Sequence, residues 1–157
     1  MATVRSFKED YITGTQSEDK HLNIIGGAFN NTFIKQKKNS IFDFASDCNT
    51  VYVELKTRSN NYNAYPTTLI PANKVKVAEA NPSKTYYFCF AFTDGLYYIE
   101  YSKEVFDTFE CKPFRRRQRI DFNDKVAEYY YIPIDKLTEI NYKSMLEKGY
   151  GEALCTA

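Results

Sequence analysis

The stretch "TVYVELKTR" (residues 50–58) alternates apolar and polar residues with a period of two, which is the pattern of a β-strand. Successive side chains of a strand point to opposite faces, so this segment predicts one apolar face and one charged face. The apolar face consists of Val51, Val53 and Leu55, and the other face of Tyr52, Glu54, Lys56 and Arg58.

A second alternating stretch, "SIFDFA" (40–45), precedes this strand, and the turn-forming residues "SDCN" separate the two. We expect a hairpin with a four-residue loop, in which Asp43 lies opposite Tyr52. Asp43 then shares the face of Glu54 as a diagonal neighbour, with Cα atoms roughly 7–8 Å apart. A register shift of one residue would separate the two carboxylates, because it turns every side chain to the other face.

The rest of the chain predicts further helices and strands in alternation. The first helix is expected near 15–30, where Thr15 and Glu18 fit a capping box, after a loosely docked arm over 1–14. Asp94-Gly95 is a strong hairpin signal between two aromatic strands. The other predicted elements are a short helix within 70–81 with Pro71 in its first turn, a strand over 128–134 and a C-terminal helix over about 135–148.

The length of 157 residues suits one domain with a single core. The order of the predicted elements indicates an α/β (α+β) fold, in which helices flank a central mixed β-sheet. We expect one domain over 1–157, with a core over about 15–134 followed by the C-terminal helix.

Composition excludes several classes of protein. The net charge is only +1, so binding of nucleic acid would need a local basic patch. The N-terminus lacks an apolar signal region and no run reaches transmembrane length, so we expect a soluble cytoplasmic protein with no membrane partner. The cysteines have no zinc-site spacing and are expected to be reduced thiols: Cys48, Cys89, Cys111 and Cys155.

The chemistry of the predicted hairpin centres on three side chains. Asp43 and Glu54 at this separation can hold one Mg²⁺, which favours carboxylate ligands together with water and phosphate oxygens. Lys56 lies one pleat further along the same face, within reach of a metal-bound water or a phosphate. It can orient the nucleophile, stabilise negative charge or act as a general base, and the sequence leaves these roles open.

Asp43, followed by Glu54-Leu55-Lys56 on a hairpin after a helix, resembles the PD-(D/E)xK nuclease superfamily. The resemblance covers residues 15 to about 93 and implies a restriction-endonuclease-like core. It also implies that Asp43 and Glu54 are metal ligands for Mg²⁺, with Mn²⁺ as a possible substitute, and that Lys56 is the catalytic lysine. Glu18 is the candidate for the supporting glutamate that many members carry on the first helix. Phe42 stands where the family has proline.

Several basic residues are candidates for contact with nucleic acid. The segment "FRRRQR" (114–119) holds an arginine cluster that can bind phosphates, unless it is a solvated loop balanced by nearby acids. Lys74, on the predicted second helix, can face either the site or solvent. The candidates are Arg58, Lys74, Arg115, Arg116, Arg117 and Arg119.

Two hypotheses about function follow from these residues. The first is a Mg²⁺-dependent deoxyribonuclease, a structure-selective endonuclease similar to a junction resolvase, which would act on DNA as a homodimer. The second is a non-catalytic binding or scaffold module with a nuclease-like fold, in which Glu54 and Lys56 form a solvated ion pair. Convergence of Asp43, Glu54 and Lys56 in a concave site favours the first, and a flat ion-paired strand favours the second.

Overall fold

The computed structural model describes residues 7–114 and 127–141. These residues form short strands interleaved with helices. In chain order the elements are α1 (Phe7–Phe29), β1 (Phe33–Lys35), β2 (Phe44–Ser46), β3 (Val51–Thr57), β4 (Thr67–Pro71), α2 (Ala72–Ala80), β5 (Thr85–Phe92), β6 (Gly95–Glu100), α3 (Lys103–Phe106), β7 (Glu110–Phe114), β8 (Ala127–Pro133), a 3₁₀ turn (Ile134–Lys136) and β9 (Thr138–Ile140).

Six strands of the described chain form a central sheet in the order β1-β2-β3-β5-β6-β9. Its central pair, β3 and β5, runs parallel from Val51 beside Thr85 to Thr57 beside Ala91, whereas the other pairs are antiparallel. The connection from β3 to β5 passes through β4 and α2, which supplies the crossover that a parallel pair needs. The predicted mixed sheet with flanking helices is therefore confirmed.

Apolar side chains cover both faces of the central sheet. On one face, Ile25 of α1 packs in a cluster with Val53 of β3. On the other face, Phe88 of β5 belongs to a cluster with Val75 of α2 and Phe106 of α3. β3 lies in the middle of this arrangement, so any charged side chain it carries needs a partner when buried.

A smaller sheet, which in the described chain has the order β4-β8-β7, packs beside α2. Ile70 of β4 and Ile132 of β8 are fully buried and belong to the same cluster as Phe88. The small sheet therefore closes the second face of the central sheet and fixes the position of α2.

Helix α1 begins at Phe7 rather than near residue 15. Thr15 and Glu18 lie inside the helix, so the predicted capping box is wrong, as is the loose arm for residues 7–14. A T-x-x-E pattern caps a helix only where the chain before it leaves helical geometry, and here the helix simply continues. Neither α1 nor any other described helix is long and apolar enough to cross a membrane.

Close packing at the end of α1 explains why glycine, which has a low helix propensity, stands at position 26. A Cβ on Gly26 would lie 2.9 Å from the carbonyl oxygen of Asn31, too close for any other residue without movement. The Asn31 N–H also donates to the Gly26 carbonyl at 3.0 Å, and Asn30 has φ 53°. This tight return places β1 beside the helix.

The predicted C-terminal helix over 135–148 is wrong for its described part. A 3₁₀ turn is followed by β9, which pairs with β6 through Leu96 and Ile140. Leu137 and Ile140 are three residues apart, a spacing typical of one helical face, but they lie in different clusters on opposite faces of the sheet. Pairing with an open sheet edge therefore overrides the local pattern. Residues 142–148 lie outside the described residues.

Candidate active site

Strand β3 places Glu54 and Lys56 on the face opposite its apolar residues, as predicted. Val53 and Leu55 pack on the α1 side of the sheet, whereas Tyr52 packs on the α2 side. Since β3 is flanked by β2 and β5, Glu54 is only 2% exposed. A carboxylate at such a position is costly to bury unless other groups compensate its charge.

Asp43 reaches Glu54 because the residues before β2 bend between two anchored rings. Phe42 packs on the α2 side of the sheet and Phe44 on the α1 side. Between them, the Asp43 N–H donates to the Val53 carbonyl at 3.0 Å. Its Oδ2 accepts a hydrogen bond from the Leu55 N–H at 2.7 Å, which fixes the carboxyl beside β3.

The register of the hairpin differs from the predicted one. Ala45, rather than Asp43, lies opposite Tyr52, and β2 covers only 44–46 of the predicted 40–45. The shift is two residues, so the paired residues Phe44 and Ala45 keep their faces, while the bend before β2 turns Phe42 to the side opposite Phe44. Asp43 therefore still lies beside Glu54, and the observed pairing places it two residues further along β3, towards Glu54, than the predicted pairing did.

Two lysines from different elements meet at Glu54. Lys56 Nζ lies 3.0 Å from Glu54 Oε2, and Lys74 Nζ of α2 lies 3.5 Å from Glu54 Oε1. Lys74 also donates to the carbonyl of Ile41 and lies over the ring of Phe42, with Nζ 5.9 Å from the ring centroid. The second helix thus adds a cation to the site and ties it to the loop that carries Asp43.

Glu18 of α1 lies on the other side of Asp43. Its carboxyl is within hydrogen-bonding reach of the Asp43 carboxyl. It also lies 3.7 Å from Lys35 Nζ of β1, which forms a closer ion pair with Asp19 at 2.6 Å. The structure therefore brings together the four candidate residues that sequence analysis named as catalytic: Glu18, Asp43, Glu54 and Lys56.

The electrostatics of the site are those of crowded acids partly offset by cations. Burial, together with the neighbouring Glu18 carboxyl, raises the pKa of Asp43 to about 6, against the opposing hydrogen bond from Leu55. Burial also raises the pKa of Glu54, while Lys56 acts in the opposite direction. Perturbed carboxylates that cluster around cations are typical of functional sites.

A comparison with known families agrees with this geometry. A family model described as "phage putative PDDEXK endonuclease" matches residues 7–140, which include every described element from α1 to β9. The chain belongs to this family. The resemblance to the PD-(D/E)xK superfamily is thereby confirmed, together with the restriction-endonuclease-like fold. No curated protein matches the chain.

The site suits the hard divalent cation that PD-(D/E)xK proteins typically use. Asp43 and Glu54 would hold it, since carboxylate oxygens are its preferred ligands, with Glu18 next to them. Glu54 Oε1 is buried and accepts no hydrogen bond from the described residues. No three His, Cys, Asp or Glu side chains gather as a ready metal cluster within 7–114 and 127–141. The lysine ammoniums lie instead against Glu54.

The remaining candidates for nucleic-acid contact divide into two groups. Arg58 donates to the Thr68 hydroxyl at 3.2 Å and to the Leu69 carbonyl, and it lies over the ring of Phe90. Its guanidinium therefore ties the end of β3 to β4. The arginine cluster lies outside the described residues: Arg115, Arg116, Arg117 and Arg119.

Two supports of the site were not predicted from the sequence. One is the Leu55 backbone N–H that holds Asp43, and a backbone amide leaves no signal in residue type. The other is Lys35, which approaches Glu18 from β1, a strand of three residues that is too short for its alternation to be recognised.

Proposed function

We propose that this chain is a metal-dependent deoxyribonuclease that hydrolyses phosphodiester bonds in DNA, with Asp43, Glu54, Lys56 and Glu18 as its active-site residues. The observation that carries the proposal is the burial of Glu54 between two ammonium groups beside Asp43. A buried ion pair is weak evidence for stability, because desolvation offsets much of the attraction. Membership of an endonuclease family supports a catalytic role for the same residues.

The bound cation, Mg²⁺ with Mn²⁺ as a substitute, would lower the pKa of a water ligand and neutralise charge on the phosphate. Asp43 and Glu54 would hold it. In the reaction, the oxygen of a water molecule forms a bond to phosphorus and one bridging P–O bond breaks. The leaving alkoxide takes up a proton, and the proton lost by the attacking water passes to solvent.

Lys56 is placed to act on the scissile phosphate. Its side chain is 26% exposed, so the ammonium can leave the Glu54 Oε2 contact and donate to a non-bridging phosphate oxygen. Lys74 supplies a second positive charge from the opposite side of Glu54. Two fixed cations near developing negative charge stabilise a transition state more than a ground state.

The proposal extends to an endonuclease selective for DNA structure, similar to a junction resolvase. Every described element belongs to the central sheet, to the small sheet or to the helices packed on them. Within the described residues, selection of the substrate would therefore depend on this core. Symmetric cleavage of two strands would use a homodimer. The arginine cluster and Lys74 would then contact phosphates.

A non-catalytic scaffold is the second candidate, and the ion pairing of Glu54 favours it. Both Glu54 oxygens lie near ammonium groups, as in a purely structural network. A scaffold would, however, obtain little stability from charges buried to this extent.

The experiment measures cleavage of labelled duplex, single-stranded and four-way-junction DNA after EDTA treatment and after addition of Mg²⁺ or Mn²⁺. We expect metal-dependent cleavage, fastest on the junction, that disappears in Glu54→Gln. Calorimetric titration with Mn²⁺ should show binding by the wild type and weaker binding by the variant. A folded protein that cuts none of these substrates with either metal would support the scaffold instead, and full activity of Glu54→Gln would place the site elsewhere.

A further inference from the structure

A cavity of about 410 Å³ opens next to the active site, on the same face of β3. Its volume is in the usual range of small-molecule sites. It lies between the loop before β2, the beginnings of β3 and β5, and the second half of α2. Its lining includes aromatic, amide and lysine side chains: Asn39, Phe42, Tyr52, Asn81, Lys84 and Tyr86.

The cavity lies beside the proposed catalytic residues, and two of its lining residues are their close neighbours in the chain. Phe42 lines it and is bonded directly to Asp43, while Tyr52 precedes Glu54 by two residues on the same strand face. Two residues of a strand span about 6.6 Å. Lys74 contacts both Glu54 and the carbonyl of Ile41, which is part of the cavity wall. A strand with its phosphate at the lysines would therefore pass the mouth of this cavity.

The floor of the cavity is aromatic. The rings of Tyr52 and Tyr86 lie 5.6 Å apart at 18°, and Phe42 tilts against both at 5.7 and 5.2 Å. Tyr86 is buried, whereas Tyr52 is partly exposed. Nucleobases pack well on such rings without regard to their sequence.

The rim of the cavity carries polar groups that suit a nucleotide. Asn39 and Asn81 are exposed, and amide groups carry both donors and acceptors of the kind that base edges pair with. The Asn81 Nδ2 already donates to the Val77 carbonyl at 2.8 Å, which leaves its second N–H and its oxygen for a base. Lys84 Nζ lies over the Tyr52 ring, 5.3 Å from its centroid, and contacts the Tyr52 hydroxyl at 3.3 Å and the Asn49 carbonyl at 2.9 Å. A cation there can contact a backbone phosphate.

We propose that this cavity, named here the base subsite, holds one unpaired base of the strand that is cut, with Lys84 on a flanking phosphate. The inference rests on the proposed function and deepens it. Bases in a duplex are stacked and cannot enter such a cavity without unpairing. The subsite would therefore favour flaps, single strands and junctions that open a base pair at the branch point, through the unpaired nucleotide next to the scissile phosphate.

The test of binding needs no cleavage. Single-stranded DNA that carries 2-aminopurine at successive positions is bound to Glu54→Gln protein in EDTA, and fluorescence is recorded at saturation. We expect quenching at one position, which is lost in Glu54→Gln proteins that also carry Tyr52→Leu or Asn81→Leu. Tyr131→Leu, on β8, is the matched control and should keep the quenching. Asn81 is exposed, so its variant should fold even if Tyr52→Leu does not.

The test of function uses an abasic site in place of the same nucleotide. We expect the wild type to cut the abasic substrate at least about tenfold more slowly than the intact one, and Asn81→Leu to show a smaller difference. Equal quenching at all positions, or quenching unchanged in both subsite variants, would overturn the base subsite. The base subsite would also be overturned if free deoxynucleoside monophosphate bound at this cavity while 2-aminopurine in the bound strand showed no quenching. If no substrate is cut but quenching occurs as expected, the proposed function fails, and the cavity stands only as a site for an unpaired base of bound DNA.

Discussion

Two E-x-K triplets in this chain lie on strands, and their environments differ in almost every respect. Glu54-Leu55-Lys56 is on the central strand β3, and Glu110-Cys111-Lys112 is on β7, at the edge of the small sheet. Both pair the glutamate with the lysine, at 3.0 and 2.8 Å. The Glu54 side chain is 3% exposed, however, while that of Glu110 is 72% exposed.

The difference lies in the residues that other elements bring to each triplet. Asp43, Glu18 and Lys74 surround the triplet of β3, whereas Lys112 lies over the ring of Tyr131. Water compensates the charges on β7, and the charges on β3 depend on one another. The E-x-K triplet alone therefore does not indicate a site. Burial, which forces the charges of the β3 triplet to interact, is what makes that triplet the candidate.

The largest effect expected is on the cleavage rate, when the lysine of each triplet is replaced in turn. Lys56→Ala should lower the cleavage rate by about 10²- to 10⁴-fold, because it removes a positioned cation from the reacting phosphate. Lys112→Ala is the matched control and should change the rate less than about twofold. Single-turnover cleavage of the preferred DNA substrate measures both, and circular dichroism checks that each variant is folded. Equal losses in both variants would mean that the β3 triplet is not the site.

The middle residues of the triplets sharpen the contrast in stability. Leu55 is buried in the cluster under α1, so Leu55→Ala should lower the free energy of unfolding by about 2–4 kcal/mol. Cys111 is exposed, and Cys111→Ala should leave the urea midpoint unchanged. Urea titration measures both variants. A small effect of Leu55→Ala would show that the α1 side of the sheet is loosely packed.

Asp43 should oppose stability while it serves the site. Its pKa is raised to about 6 in the folded protein from 3.8, so its contribution is most favourable below pH 4 and is lost as the pH rises through 6. Asp43→Asn does not titrate and should therefore raise the free energy of unfolding at pH 8 by about 1–2 kcal/mol, with a smaller gain at pH 5. The same variant should not cut DNA.

Thermal or urea unfolding at the two pH values checks this expectation, with the wild type in the same buffers as the control. An equal change at pH 5 and pH 8 would mean that the Asp43 carboxyl titrates normally in the folded protein.

The faces of β3 were predictable because they depend only on period two. The predicted register was wrong by two residues, yet Asp43 stayed next to Glu54, since an even shift preserves every face. The hairpin at Asp94-Gly95 was predictable because the turn chemistry is local. These features require no knowledge of distant parts of the chain.

The position of Lys74 over Ile41 and Phe42, and of Glu18 beside Asp43, depends on how α2 and α1 dock on the sheet. No local pattern carries this information, so Lys74 was equally consistent with solvent. β9 was mistaken for a helix because its pairing partner, β6, lies about forty residues earlier in the chain. Tertiary pairing often overrides such local preferences.

The smallest effect expected is the coupling between Glu110 and Lys112. Both side chains are more than half exposed, so solvent and salt screen their attraction and holding them together opposes side-chain entropy. A double-mutant cycle of Glu110→Ala and Lys112→Ala, measured by urea unfolding, should give no coupling at 1 M NaCl. The parallel cycle of Glu54→Ala and Lys56→Ala should keep its coupling at the same salt concentration, because the buried pair is poorly screened. If salt abolished both couplings equally, Glu54 would be more accessible to water than its position on β3 implies, and the burial that distinguishes the two triplets would not explain their difference.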